Sequence, residues 1–261
     1  MTKKILKIGL IILMVVGMCA CGQKSDIEKA EDELVGIIEK EYWAEFQQRF
    51  SNLLYNDNTL EYSFKKLGKL ISISTSDDKK VRIYAWIDDT GYNYNSGFQH
   101  IIQFQGSYNV YSTSYEKVAD PECKEGEDWA CRGFEIYTAT LNERTYYIIE
   151  ASYMQAAGWL GNRDIAIYTI ENNDLVKKSL FNTKKEVLSE IGFEYDAASY
   201  YYDFIENDVD FKKDENSFDW LFRYDDEHKT IYVPLVDGLK VTDKYLFYQW
   251  DGKYFTYKGI K

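Results

Sequence analysis

The scarce reactive side chains of this sequence are two histidines, His100 and His228, and a Ser-His-acid triad would have to use one of them as its base. His100 lies in Phe98-Gln99-His100-Ile101-Ile102, a strand-like run, and His228 sits in the acidic turn Asp225-Asp226-Glu227-His228-Lys229. A strand interior and a solvated turn suit structural roles. The chain has no Gly-x-Ser-x-Gly, no His-Glu-x-x-His and no phosphate-cradling glycine loop, which removes the usual sequence support for hydrolase and nucleotide chemistry. A glycosidase needs only two suitably spaced carboxylates. With 43 acidic residues, no pair stands out without geometry. The cluster Asp203, Asp208, Asp210, Asp214 and Glu215 puts Lys212 where a calcium loop would need its next ligand, so it is read as a solvated acidic loop. No catalytic residue, metal ligand or cofactor is assigned.

Cysteine chemistry leads to the N-terminus. Lys3, Lys4 and Lys7 precede an apolar run from Ile8 to Ala20, and a cysteine follows a small residue. This is the layout of a secretory signal peptide, and the run is well short of the roughly 20 residues of a membrane-spanning helix. Its end, Met18-Cys19-Ala20-Cys21-Gly22, resembles the lipobox of bacterial lipoproteins, with Met18 and Cys19 standing where Leu followed by Ala or Ser is usual. The resemblance implies cleavage after residue 20 and a lipidated Cys21 as the mature N-terminus. Two or three acyl chains, at about 0.8 kcal/mol per buried CH₂, would then hold the protein to a bilayer on the extracytoplasmic side of the cell envelope. Gly22 occupies the position where Asp commonly signals inner-membrane retention. Without lipidation the same leader is an ordinary secretory signal. Under the lipobox reading Cys19 leaves and Cys21 is consumed, and in an oxidising compartment the remaining Cys123 and Cys131 are expected to pair.

The whole chain carries a formal charge of −12, and losing residues 1–20 removes only lysines among its charged groups. No basic stripe offsets this charge, so nucleic acid is a poor partner. Aromatics make up 17% of the sequence, and most of them are expected to pair across strands. Four sit where core packing explains them less well. Trp159 is flanked by Gly158 and Gly161, Trp129 lies between Cys123 and Cys131, and Tyr92 and Tyr94 alternate with Asn93 and Asn95. Rings beside amide side chains can stack on sugars or anchor a protein, so these four are the candidate ligand-binding residues.

The elements that would position these groups follow from periodicity. Ser25-Asp26-Ile27-Glu28 has the form of a capping box, after which apolar residues recur three or four apart from Ile27 to Leu53. This predicts a lipidated tether over 21–25 and one amphipathic helix over 26–58. From Leu70 the pattern turns to alternation. Hairpins are predicted around Ser76–Lys80, Glu171–Asp174, Asp225–Lys229 and Asp251-Gly252. A second short helix is predicted over Thr183–Ile191. Residues 59–261 therefore make a mainly β domain of antiparallel hairpins in a meander, propeller-like or sandwich in arrangement. The functional expectation is an envelope lipoprotein with a non-catalytic domain that binds a glycan or an envelope protein. A carboxylate-dependent carbohydrate hydrolase and a structural assembly protein are the alternatives.

Overall fold

A computed structural model describes residues 25–88, 97–105, 110–115, 129–155, 160–196 and 222–261. Two helices come first, α1 (Asp26–Ile38) and α2 (Trp43–Leu53). Ser25 Oγ accepts the Glu28 amide, as the capping box requires. The single helix expected over 26–58 is broken, because the chain leaves α1 through a Schellman turn. Tyr42 N–H donates to Ile37 O and Glu41 N–H to Ile38 O, with Glu41 in the left-handed region at φ 61°. The reversal has a packing reason. Folding α2 back lets Leu34, Ile37 and Ile38 share one core with Phe46 and Phe50, whereas an unbroken helix of that length would carry one end off the sheet. A 3₁₀ turn over Asp57–Leu60 follows α2.

Sheet A is a four-stranded meander of β1 (Ser72–Thr75), β2 (Val81–Asp88), β3 (Gly97–Gln105) and β4 (Val110–Tyr115). Alternation sorts its residues onto two faces. Tyr84, Trp86 and Ile101 meet the helices. Val81, Ile83, Ala85, Ile102 and Phe104 turn the other way, onto sheet B. Several polar groups buried under the helices are satisfied, although the indole nitrogens of Trp43 and Trp86 find no hydrogen-bond partner among the described residues. Gln103 Nε2 donates to Leu54 O and Thr59 Oγ1, its Oε1 accepts the Tyr84 hydroxyl, and Arg82 donates to the carbonyls of Thr59 and Tyr62.

Sheet B is built on the long hairpin of β5 (Trp129–Leu141) and β6 (Arg144–Gln155). The hairpin closes through Asn142 and Glu143, both at positive φ. Strand β7 (Leu160–Glu171) pairs with β6, and both β8 (Asp174–Lys178) and β11 (Glu190–Asp196) pair with β7. Sheet C orders β10 (Val187–Leu188), β9 (Phe181–Asn182), β15 (Phe255–Ile260), β14 (Lys240–Trp250), β13 (Thr230–Asp237) and β12 (Arg223–Asp225). Ile148, Ile165 and Ile167 of sheet B pack on Phe181, Ile231, Val233 and Phe255 of sheet C. The layers therefore run helices, A, B, C, and sheet B is covered on both faces.

The mainly β, antiparallel fold matches the sequence expectation, with all four predicted hairpins present. Two local readings are corrected. The helix expected over Thr183–Ile191 is instead a tight turn and two short strands. Thr183 Oγ1 does accept the Lys185 and Glu186 amides like a cap, but Thr183 N–H donates to Glu186 O and Val187 and Leu188 pair back on Asn182 and Phe181. The last hairpin turns over four residues, since Trp250 pairs with Phe255. Asp251 holds that loop by accepting the Lys253 and Tyr254 amides and the Thr256 hydroxyl, which keeps its carboxyl low, at about 2.

Candidate functional site

Where the β1–β2 turn of sheet A meets the β5–β6 turn of sheet B, a cleft of about 570 Å³ opens. It is lined by Lys80, Gln105, Glu143, Arg144, Thr145, Tyr147, Thr169 and Ile170, and its volume lies in the range of small-ligand sites. The β1–β2 turn is locked from within. Asp78 Oδ1 accepts the Ser76 hydroxyl and the Lys80 amide, while Ser76 Oγ accepts the Val81 amide. Asp78 Oδ2 then accepts the Tyr147 hydroxyl at 3.0 Å, tying sheet A to β6 across the cleft wall. Burial raises the Tyr147 phenol and the Asp78 carboxylate raises it further, so it stays a donor.

The charges along the rim are unequally committed. Glu171 accepts from Arg144 at 3.0 Å and from Lys178 at 2.7 Å, and the Lys178 ammonium in particular holds its carboxyl below the usual range. Arg144 is more than half exposed and uses one guanidinium nitrogen on Glu171. The Lys80 ammonium forms no ion pair among the described residues. Thr169 Oγ1 donates to Thr145 O, leaving the Thr145 hydroxyl and the Gln105 amide beside the two cations. With Glu171 held between two cations, the cleft has the means to bind a polar, partly anionic molecule and lacks two free carboxylates facing one another among its described lining residues.

A second polar cluster lies on the face of sheet B turned toward sheet C, running from the buried Glu150 to the exposed Glu135. Glu150 on β6 is 1% exposed and accepts from Arg163 on β7 at 2.6 Å. Glu135 stands directly opposite Glu150 on β5 and accepts the Tyr137 hydroxyl at 2.6 Å. Burial pushes the Glu150 carboxyl up to about 7, against the pull of Arg163, and Glu135 adds to the rise. Burial opposes the Arg163 charge, but Glu150 and Tyr195 outweigh it. Glu150 Oε2 and Arg163 Nε have no hydrogen-bond partner among the described residues. Glu150 is closed to solvent and Arg163 is 13% exposed, and the pair links β6 to β7 on this face.

Of the residues singled out in the sequence, Cys21, Tyr92, Tyr94, Cys123 and Trp159 lie outside the described residues, as does the acidic cluster from Asp203 to Glu215. Trp129 and Cys131 fall on β5, in register with Gln155 and Tyr153 of β6, and their side chains are outside the description. His100 is on β3 against Phe134, with ring centroids 5.0 Å apart, and burial lowers it to about 4, leaving it neutral at physiological pH. His228 Nδ1 lies 2.8 Å from Asp225 Oδ2 in its exposed turn. The cleft residues were not found from sequence, because they come from several hairpins on two sheets. The Ser76–Lys80 turn was read from sequence, while the polar Asn142-Glu143-Arg144 reversal is a signal that the reading did not use.

Among the described residues, no group of three or more His, Cys, Asp or Glu could hold a metal ion. No described helix is long and apolar enough to cross a membrane. No protein-family model, curated protein or solved structure matches the chain.

Proposed function

We propose that this protein is an exported lipoprotein, anchored through Cys21, whose β domain binds an envelope glycan in the cleft between sheets A and B. The observation that carries this reading is the cleft itself. Hydroxyl and amide groups from Thr145 and Gln105 stand beside the Lys80 ammonium and a half-committed Arg144. Sugars are recognised by such convergent donors and acceptors, and the two cations favour a unit with a carboxylate or phosphate. The lipobox-like end at Cys21 supports the anchor and the compartment. In that compartment a Cys123–Cys131 bridge would close a short loop and contribute about 2–3 kcal/mol.

The test is a glycan-array screen of the detergent-solubilised full chain, followed by calorimetry on any hit. Lys80→Ala with Arg144→Ala should weaken saturable binding at least tenfold, the equivalent of about 1.4 kcal/mol. Trp129→Ala and Trp159→Ala, run in parallel, test the aromatic residues chosen from sequence. Binding that survives the cleft substitutions and is lost with either tryptophan would move the site. A wild-type chain that binds no glycan would overturn the reading.

A further inference from the structure

The outer face of sheet C, turned away from sheet B, carries an ordered set of cations and rings. Register places Arg223, Tyr232, Phe247 and Gly259 side by side across β12, β13, β14 and β15. In the neighbouring row Tyr245 is bonded through both main-chain groups to Lys261. The Arg223 guanidinium carbon lies 4.4 Å from the Tyr232 ring centroid and 5.3 Å from that of Tyr245. The Lys261 ammonium lies 5.4 Å from Tyr232 and 4.9 Å from Phe247. Gly259 takes φ 141°, a backbone conformation that residues with a side chain rarely adopt, and a β-carbon there would meet Phe247 Cε1 only at ordinary contact distance, 3.4 Å.

Both cations are exposed, while Tyr232 beneath them is 8% exposed. Neither cation forms an ion pair among the described residues, although acids outnumber bases 43 to 31 in the chain. The way they are held matters chemically. A carboxylate partner would consume the donors of Arg223 and neutralise its charge. An aromatic face fixes the guanidinium and leaves its edge donors pointing outward.

We propose that this face docks a polyanion of the envelope, a polymer bearing phosphate groups along its length, with Arg223 and Lys261 as its contacts. Charge complementarity selects this occupant. The guanidinium fork matches two phosphate oxygens, Lys261 supplies a second point charge on the same face, and a repeating anion can meet both. The rings lie beneath the cations, so contact is made by charge and not by stacking on a sugar. The surface is separate from the cleft and does not depend on it.

The experiment measures binding of the detergent-solubilised full chain to long-chain inorganic polyphosphate at about 50 mM and about 200 mM salt, where phosphate contacts weaken as counterions are retained. Wild-type protein should bind saturably and more weakly at the higher salt. Arg223→Glu with Lys261→Glu should lose at least tenfold. Arg223→Lys with Lys261→Arg keeps both charges but not the stacked guanidinium fork at residue 223, so its loss should be clearly smaller than that of charge reversal, and Lys80→Ala with Arg144→Ala should stay within about threefold of wild type. Thermal unfolding in parallel checks that each variant is folded, and Arg223→Gln with Lys261→Gln replaces the charge reversal if that pair fails to fold. The proposal is overturned by absence of wild-type binding at low salt, by charge reversal without loss, or by equal loss in the charge-conserving swap. Loss in the cleft variant with sheet C intact also overturns it, by assigning the polyanion to the cleft.

Discussion

Glu150 and Arg163 meet at 2.6 Å inside sheet B, and each depends on the other because an unpaired buried charge costs several kcal/mol. The pH dependence has a definite sign. Below its ordinary value the Glu150 carboxyl is neutral in folded and unfolded chains alike. Between that value and about 7 the unfolded chain ionises while the folded one holds its proton. The contribution is thus fully present at acid pH and is lost as pH rises through about 7. Arg163→Met removes the opposing cation and drives the carboxyl higher still. Its destabilisation should be smallest near pH 5 and should grow by about 1 kcal/mol by pH 8, one pH unit above the wild-type midpoint, read from urea unfolding at the two pH values. Glu150→Gln removes the titrating group and strands a guanidinium that cannot shed its proton, so the variant's own stability should be flat across the same range and its penalty should shrink as wild type loses stability toward about 7. Equal pH dependence in both variants would mean that the carboxyl does not titrate in this window. Glu31 makes a simpler case. Its buried carboxylate accepts the Tyr62 hydroxyl and the Lys66 and Leu67 amides, and Glu31→Ala should cost about 2–3 kcal/mol by leaving those donors unmet.

Glu41 marks the limit of local sequence reading at the scale of an element. It occupies a position that favours glycine, at φ 61° between α1 and α2, where a residue with a β-carbon is strained by roughly 1–2 kcal/mol. Glu41→Gly should raise stability by about 0.5–1 kcal/mol, visible as a higher unfolding temperature with the helix content unchanged. A lower one would show that the Glu41 side chain contributes more than its backbone costs. The start of α1 was legible because the Ser25 cap is a local hydrogen bond. Its end was not, because no glycine announces the turn and the apolar period continues into α2. Thr183 misled for a related reason. Its cap is real, but the pairing of Phe181 with Phe255 on β15 decides the outcome, and that contact is remote in sequence. The hairpin at Glu171–Asp174 was readable because Asn172 and Asn173 both tolerate positive φ. The cleft was illegible as a unit. Lys80 belongs to the β1–β2 turn, Arg144 to the start of β6 and Thr169 to the end of β7, and only the packing of sheet A on sheet B brings all three to one rim.

At the scale of the molecule the order of the layers gives the protein a direction. The helices contact sheet A, sheet A contacts sheet B, and sheet B contacts sheet C. With sheets about 10 Å apart, the outer face of C lies roughly 20 Å beyond sheet A. Four residues lie between Cys21 and Asp26, and the backbone steps that join them, at about 3.5 Å each, reach no more than about 18 Å. On the proposed lipid anchor, the helix layer therefore stays beside the bilayer, while the Arg223 and Lys261 face is turned toward the surrounding envelope. Fluorophores attached to Lys29→Cys at the start of α1 and to Glu227→Cys in the β12–β13 turn report this orientation in vesicles containing a nitroxide-labelled lipid. Quenching at residue 29 should exceed that at residue 227 several-fold, and Cys21→Ser should abolish both by releasing the protein. Equal quenching at the two positions would place the long axis of the stack along the membrane and bring the polyanion face into competition with the lipid surface. Quenching that persists in Cys21→Ser would show that something other than the acyl chains holds the protein there, the apolar side of a helix being the first place to look.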